Sequence, residues 1–325
     1  MKFGGRCRRG LDSKIRQRLH KLSAYSVSST SRTQVLIAWL RGRHQSSSRP
    51  ATIHSFNRLI SREMRNATVV LQTFRTDNVP SWITTAISTV RKWACDRGYD
   101  YEFMDDAFFN YAPLWVHERC GAQIFPITDI ARLYYLKDYL AKGYERVVWV
   151  DADVLVFDHA VFDIDVPSDY AFSREVMMGV DNSGRIQLSS PSLNNAVMFF
   201  RQGNPMLDFY CFAAEEIVRR TAPDRIERTA LGPSFLRGLA RSMPIARLNC
   251  IGLFTPVLIA DLAKGSTRLF NDYCASFRYP MGAANLCHFT RHYAAEAERS
   301  MIDRTYDSAI RFLLSNPRID GVRVM

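Results

Sequence analysis

Paired cysteines are missing from this chain. Its seven cysteines stand at positions 7, 95, 120, 211, 250, 274 and 287, with no CxxC among them. An odd number without local pairing argues against a disulfide framework and a structural zinc site, and fits a reducing compartment. Glycine-rich phosphate loops are missing too. Neither a GxGxxG nor a Walker-type glycine–lysine loop occurs, which sets aside dinucleotide and P-loop sites. Long apolar runs are absent: Val35–Leu40 is far short of the roughly 20 residues a membrane helix needs. No signal-peptide pattern is present. The expectation is a cytoplasmic protein, with peripheral attachment to the cytoplasmic face of a membrane as an option.

Acidic residues are scarce at the start of the chain. Residues 1–65 hold 15 Lys/Arg against 2 Asp/Glu, whereas residues 66–325 hold 28 against 30. The net charge of +11 therefore belongs to a basic N-terminal extension, residues 1–65, and not to the expected folded domain, residues 66–325. Such an extension suits an anionic membrane surface, nucleic acid or no partner at all. The 47 % apolar content and 325-residue length allow one large α/β domain with additions.

What is present centres on Val147–Phe157. Four apolar residues lead into Asp151-Ala152-Asp153, as in a strand covered on both faces. In a regular strand Asp151 and Asp153 share one face and Ala152 points away. Two clustered carboxylates in an apolar segment need positive charge nearby, and a divalent cation such as Mg2+ or Mn2+ is the simplest compensation. An ordinary strand-to-turn transition is the structural alternative.

The surrounding pattern is that of an α/β unit. Val69–Phe74 reads as a strand, residues 81–97 as a helix stopped by Gly98, and Tyr101–Met104 as a second strand. Open α/β sheets bind ligands at the C-terminal ends of their strands, where Phe74 and Asp105 stand. Either a core role or a ligand contact fits Phe74. Phe108–Cys120 reads as aromatic and irregular. Thr128 is placed as the N-cap of a helix carrying Asp129 and Arg132 on one face, which is also the spacing of an ordinary local ion pair. Tyr170–Ser173 and Ser192–Phe200 read as strands, Val180–Pro191 as a loop, and Pro205–Arg220 as a helix.

These motifs together resemble the nucleotide-sugar glycosyltransferases of the GT-A fold, in particular the retaining group whose sugar-binding region contains the Asp-x-Asp motif. The resemblance runs from about Val69 to Tyr293. It rests on Thr128-Asp129-x-x-Arg132 before an apolar strand into Asp151-x-Asp153, then on Asn194-Asn195-Ala196, then on Gly232-Pro233. It implies a Rossmann-like mixed sheet flanked by helices. It implies catalytic roles for Asp129, Arg132, Asp151, Asp153 and one of Asn194 and Asn195. Donor contacts are implied at Phe74, Asp105, Asp129, Arg132, Asp151 and Ala152, with Arg291 as the cation for the leaving diphosphate. The metal set would be Asp151, Asp153 and His288, with His292 as the runner-up. Departures are Ala196 where Gly is usual and Leu231 where Thr is usual.

The implied activity moves a hexose from a UDP-sugar, with GDP-mannose next, to a hydroxyl of a glycan or glycoconjugate, with retention. An inverting enzyme would need a carboxylate base, for which Asp208 and Glu227 are the available residues. The competing classes are a nucleotidyltransferase, which lacks its triphosphate loop here, and a nucleic-acid-binding protein using residues 1–65. Nucleic acid is the weaker partner, since it leaves both acidic motifs unused.

Overall fold

The computed structural model describes residues 67–316 apart from 182, 184 and 293. The basic N-terminal extension, residues 1–65, lies outside the described residues, and with it the segments expected to meet a membrane or nucleic acid. Among the described residues no helix is long and apolar enough to cross a membrane.

The fold opens with β1 (Thr68–Thr73), α1 (Ser81–Asp96) and β2 (Asp100–Met104). Trp82, Ile83, Ala86, Val90, Trp93 and Ala94 line the buried face of α1, and Gly98 ends the turn after it with φ +68, a left-handed conformation suited to glycine. A 3-10 turn over Asp106–Tyr111, α2 (Leu114–Cys120) and α3 (Ile124–Ala141) follow, then β3 (Arg146–Val150) and β4 (Val154–Val156). The segment expected to be irregular, 108–120, is thus largely helical.

The rest comprises β5 (Tyr170–Glu175), β6 (Met178–Val180), β7 (Ile186–Leu188), β8 (Ser192–Arg201), α4 (Met206–Arg220), α5 (Pro233–Leu239), β9 (Arg247–Leu248) and β10 (Ile251–Leu253). Then come α6 (Pro256–Ala263), α7 (Arg268–Phe277), β11 (Ala283–Asn285), a single turn Phe289–His292 and α8 (Glu296–Ser315). The stretch expected as a loop after Val180 instead holds the second strand of a small hairpin, with Met178 opposite Leu188. Its Ile186 and Leu188 pack against a core cluster, enough apolar contact to hold a polar segment extended.

The main sheet has the order β2-β1-β3-β8-β5-β9, and a second sheet the order β10-β11-β4. Strands β2, β1 and β3 are parallel, while β8 runs antiparallel between β3 and β5. The architecture is a mixed α/β sheet flanked by helices, as the sequence implied. Parallel strands need both faces covered, and every residue of β3 is buried. The C-terminal ends of β1, β2 and β3 therefore come side by side, carrying Phe74, Asp105 and Asp151.

One expectation fails locally. The segment 147–157 is not one strand: β3 ends at Val150, and the Val154 N–H donates to the Asp151 carbonyl at 3.1 Å. The chain turns there and enters the second sheet, where β4 pairs with β11. Asp151 and Asp153 are thus brought to one place by a turn between two sheets.

Candidate active site

Trp149 and Asp151 are two residues apart at the end of β3 and share a face. The Trp149 indole N–H donates to Asp151 Oδ1 at 2.7 Å. Arg132 Nη2 lies 3.3 Å from the same oxygen, and its guanidinium covers the Trp149 ring at 4.8 Å. Arg132 Nη1 donates to the Asn195 carbonyl at 3.1 Å and stands 3.7 Å from Asp129 Oδ1. Asn195 Nδ2 closes the network by donating to that Asp129 oxygen at 2.9 Å. Two carboxylates, one guanidinium and one amide thus interlock behind the end of β3.

This arrangement corrects the helix-start argument. Helix α3 begins at Ile124, not at Thr128. The Thr128 hydroxyl donates to the Ile124 carbonyl at 2.9 Å from inside the helix, so Asp129 is in its second turn and gains little from the dipole. Asp129 is 8 % exposed and Arg132 7 %, which makes their pairing a buried one. Burial raises the Asp129 carboxyl to about 6, against the opposing pull of Arg132 and Asn195. Burial likewise raises Asp151, with Arg132 opposing and Asp153 reinforcing the rise.

Asp153 is held from the other sheet. Its Oδ2 accepts the His288 backbone N–H at 2.7 Å, and its carbonyl accepts the Leu286 N–H at 2.9 Å. Burial raises this carboxyl too. His288 therefore meets Asp153 through its main chain. Its ring packs against Phe74 at 5.4 Å and Trp82 at 5.7 Å, and its Nε2 is buried without a hydrogen-bond partner. Burial first, then the charge of Arg291 and Arg75, lowers this imidazole to about 4, so it is neutral at pH 7.

The remaining expected residues divide. Phe74 is half-buried and lies at the edge of the site beside His288. Asp105 is exposed at the end of β2, where its Oδ1 accepts the Ala107 N–H at 2.9 Å and caps the 3-10 turn. Ala152 is 7 % exposed and belongs to a core cluster, so its methyl group faces inward. Asn194 is turned away from Asp129, and its Nδ2 donates to Glu175. Of the two asparagines, Asn195 is the one joined to Asp129 and Arg132.

Arg291 is already engaged, donating to both oxygens of Asp303 at 2.6 and 2.9 Å. His292 is exposed, with its ring 5.7 Å from Phe125. Asp208 pairs with Lys137 at 2.9 Å, which fits a helix-surface role better than a catalytic base.

Sequence reasoning missed Gln72 and Arg75, and named Gly232 only as part of the Gly232-Pro233 motif. Gln72 is fully buried, donates to the Asp151 carbonyl at 3.2 Å and accepts from the Tyr101 hydroxyl at 2.8 Å. A lone amide within Val69–Phe74 was its signal. Gly232 lies against Asn195: a Cβ there would stand 2.8 Å from Asn195 Oδ1. Arg75 is exposed after β1, stacks on Phe74 at 5.4 Å and has one bond, to the Asn78 carbonyl at 3.3 Å.

Among the described residues no three His, Cys, Asp or Glu side chains converge as a metal cage. The expected set of Asp151, Asp153 and His288 is therefore not assembled through three side chains. The donor set still fits a hard dication of the open kind, bound through one or two carboxylates and completed by substrate phosphates. Asp151 and Asp153 are part-buried and share Arg132 with the buried Asp129, and a dication at Asp151 and Asp153 would relieve that imbalance.

No protein-family model matches the chain, and no curated protein does. Solved structures do match. One is described as a crystal structure of a glycosyltransferase involved in the glycosylation of the major capsid of PBCV-1; it is 12 % identical, with 74 % of this chain and 98 % of that chain covered and a TM-score of 0.40. Another is the PaToxG glycosyltransferase, at 15 % identity, covering 80 % of this chain and 94 % of that one, with a TM-score of 0.33. Overlap this loose assigns no role to any residue here.

Proposed function

We propose that the chain is a metal-dependent glycosyltransferase of GT-A type, moving a hexose from a nucleoside-diphosphate sugar, UDP-linked first and GDP-mannose second, to a hydroxyl of a glycan or glycoconjugate. The observation that carries the reading is the interlocked Asp129–Arg132–Asp151–Asn195 network at the C-terminal end of β3. Beside it, Asp153 is clasped by the 286–288 segment.

In this reading Asp151 and Asp153 would hold Mn2+ or Mg2+. Such an ion, when bound, would supply charge neutralisation to the departing nucleoside diphosphate. Asp129 accepts a donor-sugar hydroxyl, while Arg132 keeps Asp151 ionised. Phe74 borders the nucleoside at the end of β1. The cation for the diphosphate is Arg75 and not Arg291, because Asp303 already occupies Arg291. Retention comes from the resemblance alone, with the donor's own phosphate oxygen taking the acceptor proton. The basic extension, residues 1–65, is assigned to an anionic membrane surface; its removal should weaken binding to phosphatidylserine vesicles and leave nucleotide release intact.

The test is a panel of nucleotide sugars with Mn2+, read as nucleotide release. Release from one UDP-hexose well above the others supports the reading. No release from any donor, with or without metal and acceptor glycans, would overturn it.

A further inference from the structure

The ladder between β5 and β8 breaks at one place. Phe172 faces Met198, and the next residue, Ser173, faces Asn194. Residues 195–197 are left without β5 partners, and their main-chain groups need other ones. Ser173 Oγ donates to the Asn194 carbonyl at 2.8 Å and accepts the Val197 N–H at 3.4 Å. Asn194 Oδ1 accepts the Ala196 N–H at 2.7 Å. Asn194 Nδ2 then donates to Glu175 Oε2. The register, Ser173 opposite Asn194 and Glu175 opposite Ser192, places these side chains on one face of the pair.

The same bulged segment supplies two acceptors to the candidate site. The Asn195 carbonyl takes Arg132 at 3.1 Å, and the Ala196 carbonyl takes the Asp151 N–H at 2.7 Å. The path of residues 195 and 196 therefore sets where Arg132 and Asp151 sit.

Glu175 is 7 % exposed and is fixed through both neighbours. Arg174 donates to the Phe277 carbonyl at 2.6 Å, and the Tyr273 hydroxyl donates to the Val176 carbonyl at 3.0 Å. The cavity that Glu175 lines with Asn194, Gly252 and Asn285 measures about 10 Å³. That is room for about one water. Glu175 is buried and its side chain bonds to Asn194, so its influence on the site runs through that bond.

We infer that Glu175 is a positioning residue: by fixing Asn194 it sets the β8 bulge that aims the Asn195 and Ala196 carbonyls at Arg132 and Asp151. This rests on the proposed transfer only for its kinetic readout.

Two measurements test it. The first is nucleotide release by Glu175→Gln and Glu175→Ala. Gln keeps an acceptor for Asn194 and should stay within a few-fold of wild type in kcat. Ala should lose kcat on the order of 10²-fold, the cost of a small misplacement at a reacting centre, with a much smaller change in donor KM. The second is the indole 15N–1H resonance of Trp149, assigned with Trp149→Phe, which reports the bond to Asp151. It should move in Glu175→Ala and in Asn194→Ala and return in Glu175→Gln. If Glu175→Gln is as inactive as Glu175→Ala, the charge itself is required and the positioning role is wrong. A Trp149 resonance unchanged in both alanine variants would also overturn it. Should wild type release nucleotide from no donor, the transferase reading fails while the resonance still decides this inference. Should Glu175→Ala not fold, Asn194→Ala carries the same comparison.

Discussion

Arg75 and Arg291 both act electrostatically on His288, and they differ in what already holds them. Arg291 makes two bonds to Asp303, whose carboxylate also accepts the Trp82 indole N–H at 2.9 Å. Arg75 is exposed with a single long bond. Arg75→Ala should therefore weaken UDP binding about ten- to a hundredfold, since a lost charged hydrogen bond is worth about 1.5–3 kcal/mol, and leave uridine binding unchanged. Arg291→Ala should chiefly lower the melting temperature. Competition titrations with UDP and uridine separate the two; equal loss of both ligands in Arg75→Ala would move Arg75 to the base. Gly232 offers a second test at this scale. A methyl group 2.8 Å from the Asn195 amide cannot fit without moving it, so Gly232→Ala should cost about 1–3 kcal/mol and reduce donor use. Urea midpoints and nucleotide release check both parts.

At the scale of elements, the β3–β4 turn joins two sheets and is gripped from both. Asp153→Asn keeps an oxygen for the His288 N–H and should leave the melting temperature near wild type. Asp153→Leu leaves that N–H unmet, which costs about 1–3 kcal/mol, and should lower it. Thermal unfolding of the pair is the measurement; equal melting temperatures would show that the 286–288 segment does not depend on this bond. The elements also show what could be read in advance. Apolar runs and a stop at Gly98 made β1, α1, β2 and β3 legible, because local pattern and burial agree there. The proximity of Asp129, Arg132 and Asp151 followed from a resemblance, and the structure brings them together. The start of α3 was misplaced because Thr128 satisfies a cap pattern, while the helix gains a further turn upstream. The Asn194 and Asn195 roles were unreadable, since a bulge in β8 decides which side each faces, and no local signal marks a bulge. The pairing of Arg291 with Asp303 could not be read either, since Asp303 arrives from α8, twelve residues later.

At the scale of the whole molecule, the sheet end opposite the site is tied by Arg146. It is 5 % exposed, donates to Thr68 Oγ1 at 3.1 Å and the Tyr99 hydroxyl at 3.0 Å, and pairs with Asp165. The Arg146 bond holds the Asp165 carboxyl below the usual range. A depressed carboxylate stabilises the fold above its unfolded value of about 3.9, and that stabilisation fades as pH falls through the lower folded value. Asp165→Asn should thus lose a little stability at pH 7 and show a shallower acid limb. The carboxylate is half exposed, so screening keeps the effect small. Urea midpoints between pH 7 and pH 3 check the sign; a steeper acid limb in the variant would contradict it.

The account as a whole depends on the acid pair binding a dication together with a nucleoside diphosphate. Calorimetric titration of UDP into wild type and Asp153→Asn, each with and without Mn2+, measures this most directly. The predicted result is a large gain in UDP affinity with Mn2+ in wild type and none in the folded variant. An equal gain in both proteins, or no gain in wild type, would contradict it.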